Sequence, residues 1–325
     1  MQTIPNIRTL KNILVMRCEG SLGDAVISSG VFREMKRANP SLKITVACFN
    51  LGYEFLKKNS YIDEIFQLPV RTHIRRHQRW PSLIWAGWQL RRRHFDLVID
   101  SSGECAANWR LCKWLAAGTR LLDVFHEPQL SHLPNYHASH YESILLRLLG
   151  IETPNVRYDI PVPLENQQYI SGKLSRQKIN HYILLNPSGS IDQRCFRPRT
   201  IECLCGLLVV LNLPVILPTP PNKEIYWETA CKHLPQLHVL PTPNLFDLIA
   251  LVKRASLVIT PDTSVVHIAS GFQKKTLAFY NNFTAHYAPN NPHAFVIHTA
   301  PSDVNEAKWE QVTQIVQQIK QGLLT

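Results

Sequence analysis

Residues 12–24 read Asn12-Ile13-Leu14-Val15-Met16-Arg17-Cys18-Glu19-Gly20-Ser21-Leu22-Gly23-Asp24. The first six form an apolar run of the kind that a buried parallel strand requires. The glycine-containing turn after them leads into a helical pattern that continues to about Ala38. In a doubly wound sheet, ligands bind outside the carboxyl ends of the strands. The run therefore predicts an α/β domain in which Asp24 points toward a ligand-binding edge.

Asp24 is the acidic residue that this turn presents. Negative charge is favoured at a helix N-terminus, where the peptide dipoles leave a partial positive charge. A carboxylate that faces open space there can take a proton from a sugar hydroxyl, as a sugar-transferring enzyme needs. Aspartate is also a favoured helix-capping residue, so a purely structural cap is the alternative interpretation.

The first half of the chain alternates short apolar runs with helical patterns. We predict strands at Ile13–Arg17, Ile44–Phe49, Glu64–Leu68, Leu97–Ser101 and Arg120–Val124. We predict helices at Asp24–Ala38, Leu51–Lys58, Pro81–His94, Ala106–Ala116 and His137–Leu149, the last ending at Gly150. Strands that alternate with helices indicate a parallel sheet covered on both faces.

A second alternating series follows a proline-containing segment, Ile151–Glu165, which is typical of a linker. We predict strands at Tyr182–Asn186, Val215–Leu217, Leu237–Leu240, Leu257–Thr260 and Thr276–Phe279, with a closing helix at Asn305–Leu323. The predicted fold is α/β, with two Rossmann-like doubly wound domains, residues 1–160 and 161–325, that face each other across a ligand-binding cleft.

Composition narrows the setting in which the protein works. The chain has 325 residues, a formal net charge of +11 and eight scattered cysteines without zinc-finger spacing. It contains no apolar run of the roughly 20 residues that span a bilayer, and its first residues do not resemble a signal peptide. We therefore expect a cytoplasmic protein with reduced, mostly buried cysteines.

Positive charge is concentrated between Arg71 and His94, where arginines are mixed with Trp80, Trp85 and Trp88. The arginines proposed as an acceptor or membrane surface are Arg71, Arg75, Arg76, Arg91, Arg92 and Arg93. Guanidinium groups pair with phosphate and indole rings favour headgroup depth, so the segment suits an anionic interface. The alternative is a solvated helix face with tryptophan in the core. No nucleic-acid motif accompanies the segment, so we predict no nucleic-acid partner.

A small-residue turn, Asn186-Pro187-Ser188-Gly189-Ser190, follows the first predicted strand of the second half. Arg194, Arg197 and Arg199 come soon after it. Free backbone N–H groups followed by cations are typical of a phosphate-binding loop, in which Ser188, Ser190 and Arg194 would contact the ligand. An ordinary strand-to-helix loop with surface arginines is an equally good interpretation of the spacing alone.

The run Thr260-Pro261-Asp262-Thr263-Ser264-Val265-Val266-His267 ends one predicted strand and opens a helix. Asp262, Thr263 and Ser264 would present a carboxylate, hydroxyls and helix amides to a sugar or a phosphate. His267 lies one turn further along this helix, and we predict that it supports the site and does not catalyse the reaction. The chain has no P-loop lysine, His-Glu-x-x-His or Gly-x-Ser-x-Gly signature, and no Gly-x-Gly-x-x-Gly after its first strand, which disfavours a nicotinamide cofactor.

Taken together these motifs resemble glycosyltransferase family 9, the lipopolysaccharide heptosyltransferases. Ile13–Arg17 with Ser21–Asp24 is similar to the family's opening motif. The segments Tyr61–Glu64, Phe95–Asp100 and Tyr141–Gly150 also have similar counterparts. Leu184–Ser190 with Arg194 resembles the donor-phosphate loop, and Asp262-Thr263-Ser264 with His267 and Lys275–Ala278 resembles the second donor motif.

The resemblance implies a GT-B fold and inverting transfer of a heptose from ADP-heptose to the inner core of lipopolysaccharide. The first domain would hold a lipid-linked anionic acceptor at the cytoplasmic face of the inner membrane, and the second the nucleotide sugar. Neither a cofactor nor an obligatory metal is implied. Asp24 matches the family's proposed catalytic base, Arg194 the basic residue at the diphosphate, and Asp262-Thr263-Ser264 the donor contacts.

Two positions depart from the family pattern. Ser264 stands where glycine is usual, and Glu224 is the one acidic residue in a segment, 218–224, that the family often makes glycine-rich and acidic near the nucleotide. Another nucleotide sugar could therefore replace ADP-heptose. A non-catalytic nucleotide-sugar-binding protein and a nucleotide-sugar epimerase remain alternatives, because fold alone does not determine function.

Overall fold

A computed structural model of the chain describes residues 4–17, 21–68, 76–101, 106–117, 120–123 and 137–323. The chain divides into two compact units, Met1–Ile160 and Pro161–Thr325. The junction lies in a segment without helix or strand, and Pro161 and Pro163 precede the first helix of the second unit. Among the described residues, no helix has both the length and the apolar content that crossing a membrane requires.

The first domain is built on a parallel sheet whose five described strands lie in the order β3-β2-β1-β4-β5. The strands are β1 (Asn12–Arg17), β2 (Lys43–Cys48), β3 (Glu64–Gln67), β4 (Leu97–Asp100) and β5 (Arg120–Asp123). The described helices are α1 (Leu22–Ala38), α2 (Asn50–Leu56), α3 (Arg76–Arg91), α4 (Ala106–Leu115) and α5 (Ala138–Leu148).

Helices cover both faces of this sheet, because parallel strands need a crossover connection between them. On one side α1 packs against α2 and α5, and on the other α3 packs against α4. Leu14 and Met16 of β1, Val98 of β4, Leu90 of α3 and Leu111 of α4 belong to one buried apolar cluster. Helix α5 stops where Gly150 adopts a φ of 87°, a left-handed conformation that glycine accommodates without strain.

The second domain repeats this architecture with six described parallel strands in the order β11-β10-β9-β6-β7-β8. They are β6 (Ile183–Leu185), β7 (Val215–Thr219), β8 (Leu237–Pro241), β9 (Leu257–Pro261), β10 (Thr276–Tyr280) and β11 (Ala294–His298). The helices are α6 (Leu164–Arg176), α7 (Pro198–Leu208), α8 (Glu224–Cys231), α9 (Leu245–Arg254), α10 (Ser264–Gly271) and α11 (Trp309–Leu323).

Each sheet has a point where the direction of winding reverses. In the first domain it lies between β1 and β4, where Met16 pairs with Asp100. In the second it lies between β6 and β9, where Leu185 pairs with Ile259. In open α/β sheets, ligands usually bind in the crevice at the carboxyl ends of the strands beside such a point. Residues 21–24, 186–190 and 262–264 lie just beyond the carboxyl ends of β1, β6 and β9.

The structure confirms the prediction of two parallel-sheet α/β domains. Four element predictions were wrong. Helix α3 begins at Arg76 and contains Pro81, which had been predicted as its first residue. The linker was predicted to extend to Glu165, but α6 begins at Leu164. Strand β11 was not predicted, although it contains four consecutive apolar residues, Ala294–Ile297; it lies at the edge of the sheet and is only partly buried.

The closing helix was predicted from Asn305 but begins at Trp309. Asn305 instead joins two loops. Its Oδ1 accepts hydrogen bonds from the Arg197 amide at 2.9 Å and from the Thr200 hydroxyl at 2.6 Å, and its Nδ2 donates to the Cys195 carbonyl at 2.9 Å. Asparagine competes with helical hydrogen bonding through such side-chain contacts, which explains the later start.

Four of the six described cysteines are buried thiols: Cys48, Cys112, Cys205 and Cys231. Burial raises the pKa of the Cys48 thiol to about 12, although the charge of Arg17 opposes the shift. Burial also raises the pKa of Cys205 to about 12. Thiols of this kind stay protonated and pack as small apolar groups. Cys18 and Cys105 lie outside the described residues.

Helix α9 is held at its start by a reciprocal cap. Asn244 Oδ1 accepts hydrogen bonds from the amides of Phe246 and Asp247, and Asp247 Oδ2 accepts one from the Asn244 amide. Asn166 of α6 donates to Asn244 Oδ1 at 3.1 Å and to Asp247 Oδ1 at 2.8 Å. The cap therefore ties two helices together on one face of the second domain.

We expect Asn244→Ala to lower the free energy of unfolding of the second domain by about 1–2 kcal/mol, since it removes the cap and one acceptor for Asn166. Urea unfolding followed by circular dichroism measures the change. Asn222→Ala, in an exposed turn of the same domain, is the matched control and should change the value by less than about 0.5 kcal/mol. Equal effects of the two substitutions would contradict the role given to the cap.

Candidate functional site

Asp24 occupies the third position of α1, behind the cap residue Ser21. The Asp24 amide donates to Ser21 Oγ at 3.2 Å, and the Ser21 hydroxyl donates to Asp24 Oδ2 at 2.6 Å. The cap is thus Ser21, and the Asp24 carboxylate is positioned by it. Asp24 is half-buried. The glycine turn itself, residues 18–20, lies outside the described residues.

A buried ion pair lies beside this carboxylate. Arg17, the last residue of β1, donates from Nη1 to Glu142 Oε1 at 3.0 Å and from Nη2 to the Asp24 carbonyl at 3.1 Å. Burial raises the pKa of Glu142; the charge and hydrogen bond of Arg17 oppose the shift, and the negative charge of Asp24 adds to it. Arg17 thus joins the end of β1 to both α1 and α5.

In the second domain, Asn186 joins the two strands at the point where the winding reverses. Its Nδ2 donates to Thr260 Oγ1 at 3.0 Å and to the Ser188 carbonyl at 3.0 Å, and lies 3.5 Å from Thr263 Oγ1. Thr263 caps α10 by accepting a hydrogen bond from the Val265 amide at 3.2 Å. The turn after β6 and the start of α10 are therefore held side by side.

Arg194 and Asp262 form an ion pair across the same crevice, with Nη1 and Oδ2 3.2 Å apart. Burial raises the pKa of Asp262, and the charge of Arg194 opposes the shift. The buried Nε of Arg194 has no hydrogen-bond partner among the described residues. A buried N–H without an acceptor is costly, so this atom is suited to receive an oxygen of an anionic ligand.

Gly189 lets the loop reach Arg194. A Cβ atom at this position would lie 2.3 Å from the Arg194 carbonyl oxygen, so any other residue would push the turn away from the arginine. The other two arginines of the motif have different surroundings. Arg197 forms an ion pair with Asp303, and Arg199 is exposed.

The remaining predicted donor residues lie around this centre. Ser264 and His267 follow Thr263 on α10; Ser264 is half-buried, and His267 is buried with its ring centroid 6.5 Å from that of Tyr287. Ser190 is exposed in the turn after β6, and Glu224 is half-buried in the first turn of α8, beyond the neighbouring strand β7. Among the described residues, no group of three or more His, Cys, Asp or Glu could hold a metal ion.

The basic segment is described in part. Arg71 and Arg75 lie outside the described residues, and Arg76 is described only as the first residue of α3. Arg91 and Arg92 are exposed. Arg93 is half-buried and forms an ion pair with Glu64, so its charge is neutralised within the domain.

Sequence reasoning did not identify Arg17, Glu142, Asn186 or Thr260 as site residues. A signal was present for the first two: Arg17 ends an otherwise apolar strand, and Glu142 shares a helical face with Leu145, Leu146 and Leu149. A buried charge at such a position requires a partner. Asn186 and Thr260 carry no comparable signal, because polar residues at strand ends are common.

Comparison of the sequence with known proteins identifies the family. The glycosyltransferase family 9 (heptosyltransferase) sequence model matches residues 123–316, which include the Asn186 and Asp262 turns but not Asp24. An Escherichia coli protein named "Putative lipopolysaccharide heptosyltransferase 4" is 23% identical over 337 residues, which cover 95% of this chain and 87% of that protein.

Two solved structures are similar over nearly the whole chain. A glycosyltransferase family 9 protein from Veillonella parvula has a TM-score of 0.78 and 16% sequence identity, covering 99% of both chains. The Escherichia coli heptosyltransferase WaaC, solved with ADP, has a TM-score of 0.67 and 17% identity, covering 94% of this chain and 97% of that one. At these identities the likeness shows the fold, which is GT-B.

The raised pKa of Asp262 predicts a pH-dependent stability. An aspartate carboxyl has an ordinary pKa of 3.8, and that of Asp262 is higher in the folded protein. The stability it contributes is therefore fully present below about 3.8 and is lost as the pH rises through the folded-state pKa. Relative to Asp262→Asn, which does not titrate, the wild-type protein should lose stability over this interval. Urea unfolding at a series of pH values measures the difference, and a difference that moves in the opposite direction would contradict the shift.

Proposed function

The chain belongs to glycosyltransferase family 9 (heptosyltransferase) and is a glycosyltransferase; from that premise we propose that it moves a heptose from ADP-heptose to the inner core (Kdo/heptose region) of lipopolysaccharide or lipooligosaccharide, with inversion at the anomeric carbon. One observation carries the proposal. The turn after β6, Arg194 and the start of α10 are held together by Asn186 and by the Arg194–Asp262 ion pair. Such an arrangement suits a sugar diphosphate.

The second domain would bind the donor through these groups. Arg194 and the amides of the 188–190 turn would bind the diphosphate from one side. Thr263, Ser264 and the first amides of α10 would donate hydrogen bonds to it from the opposite side. Asp262 would accept a hydroxyl of the sugar, and His267 would support the helix from behind. Glu224, at the start of α8 after β7, would lie near the nucleoside part of the donor. The Escherichia coli WaaC structure contains ADP, which supports an adenosine diphosphate donor here.

The first domain would supply the base. Asp24 Oδ1 removes the proton of the acceptor hydroxyl while that oxygen bonds to the anomeric carbon. The bond from this carbon to the β-phosphate oxygen breaks, and its electron pair leaves with ADP. Arg194 stabilises the charge that develops on the departing diphosphate. Ser21 and Arg17 do not take part in the chemistry; they hold Asp24 in place.

The acceptor would be an anionic, lipid-linked saccharide. We therefore place the enzyme at the cytoplasmic face of the inner membrane, with the basic segment of the first domain toward the acceptor or the lipid. Of that segment, Arg91 and Arg92 are the described arginines that are exposed and suited to this role.

Two substitutions separate the proposed roles. We expect Asp24→Asn to lower kcat by about 100- to 10,000-fold with donor binding unchanged, because general-base catalysis is lost. We expect Arg194→Gln to weaken ADP binding by about tenfold and to slow transfer as well. Glu152→Gln and Arg199→Gln, both exposed, are the matched controls. Calorimetric titration with ADP and steady-state kinetics measure both effects, and retained activity in Asp24→Asn would remove its role as base.

The activity itself is tested by mass spectrometry with a panel of nucleotide sugars, ADP-heptose included, and deep-rough core acceptors. A mass increase of one heptose, found with ADP-heptose alone, is the expected result. Transfer of another sugar would contradict the donor proposed here and leave a glycosyltransferase. Nucleotide binding without turnover on any acceptor would favour a nucleotide-sugar-binding protein.

A further inference from the structure

A group of large apolar side chains is exposed on the outer side of α3 and α4. The exposed fractions are 58% for Ile84, 56% for Trp85, 44% for Trp88 and 36% for Trp114. With Pro81 these residues line one shallow groove. We name this group of five the tryptophan face. Three indoles side by side in water are unusual for a monomeric surface and mark a site that another surface covers.

The tryptophan face is a built part of the fold. Helix α3 is apolar on two sides, since Leu83, Ala86 and Leu90 pack into the core while Ile84, Trp85 and Trp88 face outward. Gly87 lets α4 approach: a Cβ atom there would lie 2.2 Å from the Trp114 ring. Arg91 Nη1 donates to the Trp114 carbonyl at 3.3 Å. The indole of Trp114 is thus fixed beside α3.

Exposed cations border the tryptophan face. Helices α3 and α4 contain no aspartate or glutamate. Arg91, the last residue of α3, and Arg92, which follows it, are exposed. The guanidinium carbon of Arg92 lies 3.7 Å from the centre of the Trp88 ring. Arg93 is excluded from this set because it pairs with Glu64.

We propose that the tryptophan face docks on a bilayer that contains anionic lipid, with the indoles at headgroup depth and Arg91 and Arg92 on lipid phosphates. Tryptophan favours the membrane–water interface, and basic residues beside it are attracted to anionic headgroups. This docking rests on the proposed function in one respect only: the proposed function explains why the enzyme would bind a membrane, namely to reach a lipid-linked acceptor. The binding itself requires neither donor nor acceptor.

Charge argues against a second copy of the chain as the occupant. In a two-fold dimer the same patch meets itself, so Arg91 and Arg92 would face their own copies, and neither α3 nor α4 contains an acidic residue to pair with them. Like charges brought together across an interface oppose association. An anionic lipid surface supplies the opposite charge along the whole patch.

The test uses the full-length protein and vesicles without saccharide. Co-sedimentation gives the partition coefficient on phosphatidylethanolamine–phosphatidylglycerol vesicles and on phosphatidylcholine vesicles. The test variants are Trp85→Gln with Trp88→Gln, and Arg91→Gln with Arg92→Gln. Val209→Gln with Val210→Gln is the apolar control, since these residues are 60% and 37% exposed in the second domain. Arg8→Gln with Lys11→Gln, both exposed in the first domain, is the charge control.

We expect the wild-type protein to bind the anionic vesicles, each test pair to lower the partition coefficient by roughly tenfold, and both controls to bind as the wild type does. Bromine on the lipid acyl chains should quench the wild-type tryptophan emission. The proposal is overturned if the wild type does not bind, or if the tryptophan pair binds equally well. It is also overturned if sedimentation equilibrium shows that the wild type is a dimer and that, among the variants, only the tryptophan pair is a monomer. Because no sugar is present, failure of heptose transfer would leave this result unaffected.

Discussion

All pairings between the described strands of the two sheets are parallel, and this constraint decides where functional side chains can lie. Parallel strands end at the same edge of a sheet, so the turns after them meet there even when they are far apart in sequence. The crevice opens where the winding reverses, between β1 and β4 in one domain and between β6 and β9 in the other. Asp24 follows the first of these strands, and Asn186 and Asp262 follow the last two.

In each domain a buried polar contact lies at the end of a strand that leads to the candidate site. In the first domain Arg17 forms an ion pair with Glu142 and donates to the Asp24 carbonyl, so it holds the start of α1, where the proposed base lies. In the second, the neutral amide of Asn186 donates to Thr260 and to the Ser188 carbonyl, and Arg194 is the proposed cation for a diphosphate. Positions held in this way lose little entropy when a ligand binds.

Local patterns in the sequence were sufficient to predict the two α/β domains, the helix that carries Asp24 and the turns at Ser188 and Asp262, because each needs only a buried strand followed by small or polar residues. The contacts that organise these turns could not be read in this way. Arg17 and Glu142 are 125 residues apart, and Asn186 and Thr260 are 74 apart, so nothing local connects them. The predicted start of a helix was wrong where a side-chain hydrogen bond replaced the helical one, as at Asn305 before α11. The roles of Asp24 and the donor residues stay predictions.

The central claim is that the turn after β6, Arg194 and the start of α10 form the binding site for a nucleotide diphosphate. A crystal structure of the full-length protein with ADP tests it most directly. We predict the β-phosphate between the 188–190 turn and the start of α10, with one of its oxygens accepting a hydrogen bond from Arg194 Nε. ADP bound at another edge of the sheet, or an Arg194 Nε that contacts no phosphate oxygen, would contradict the account.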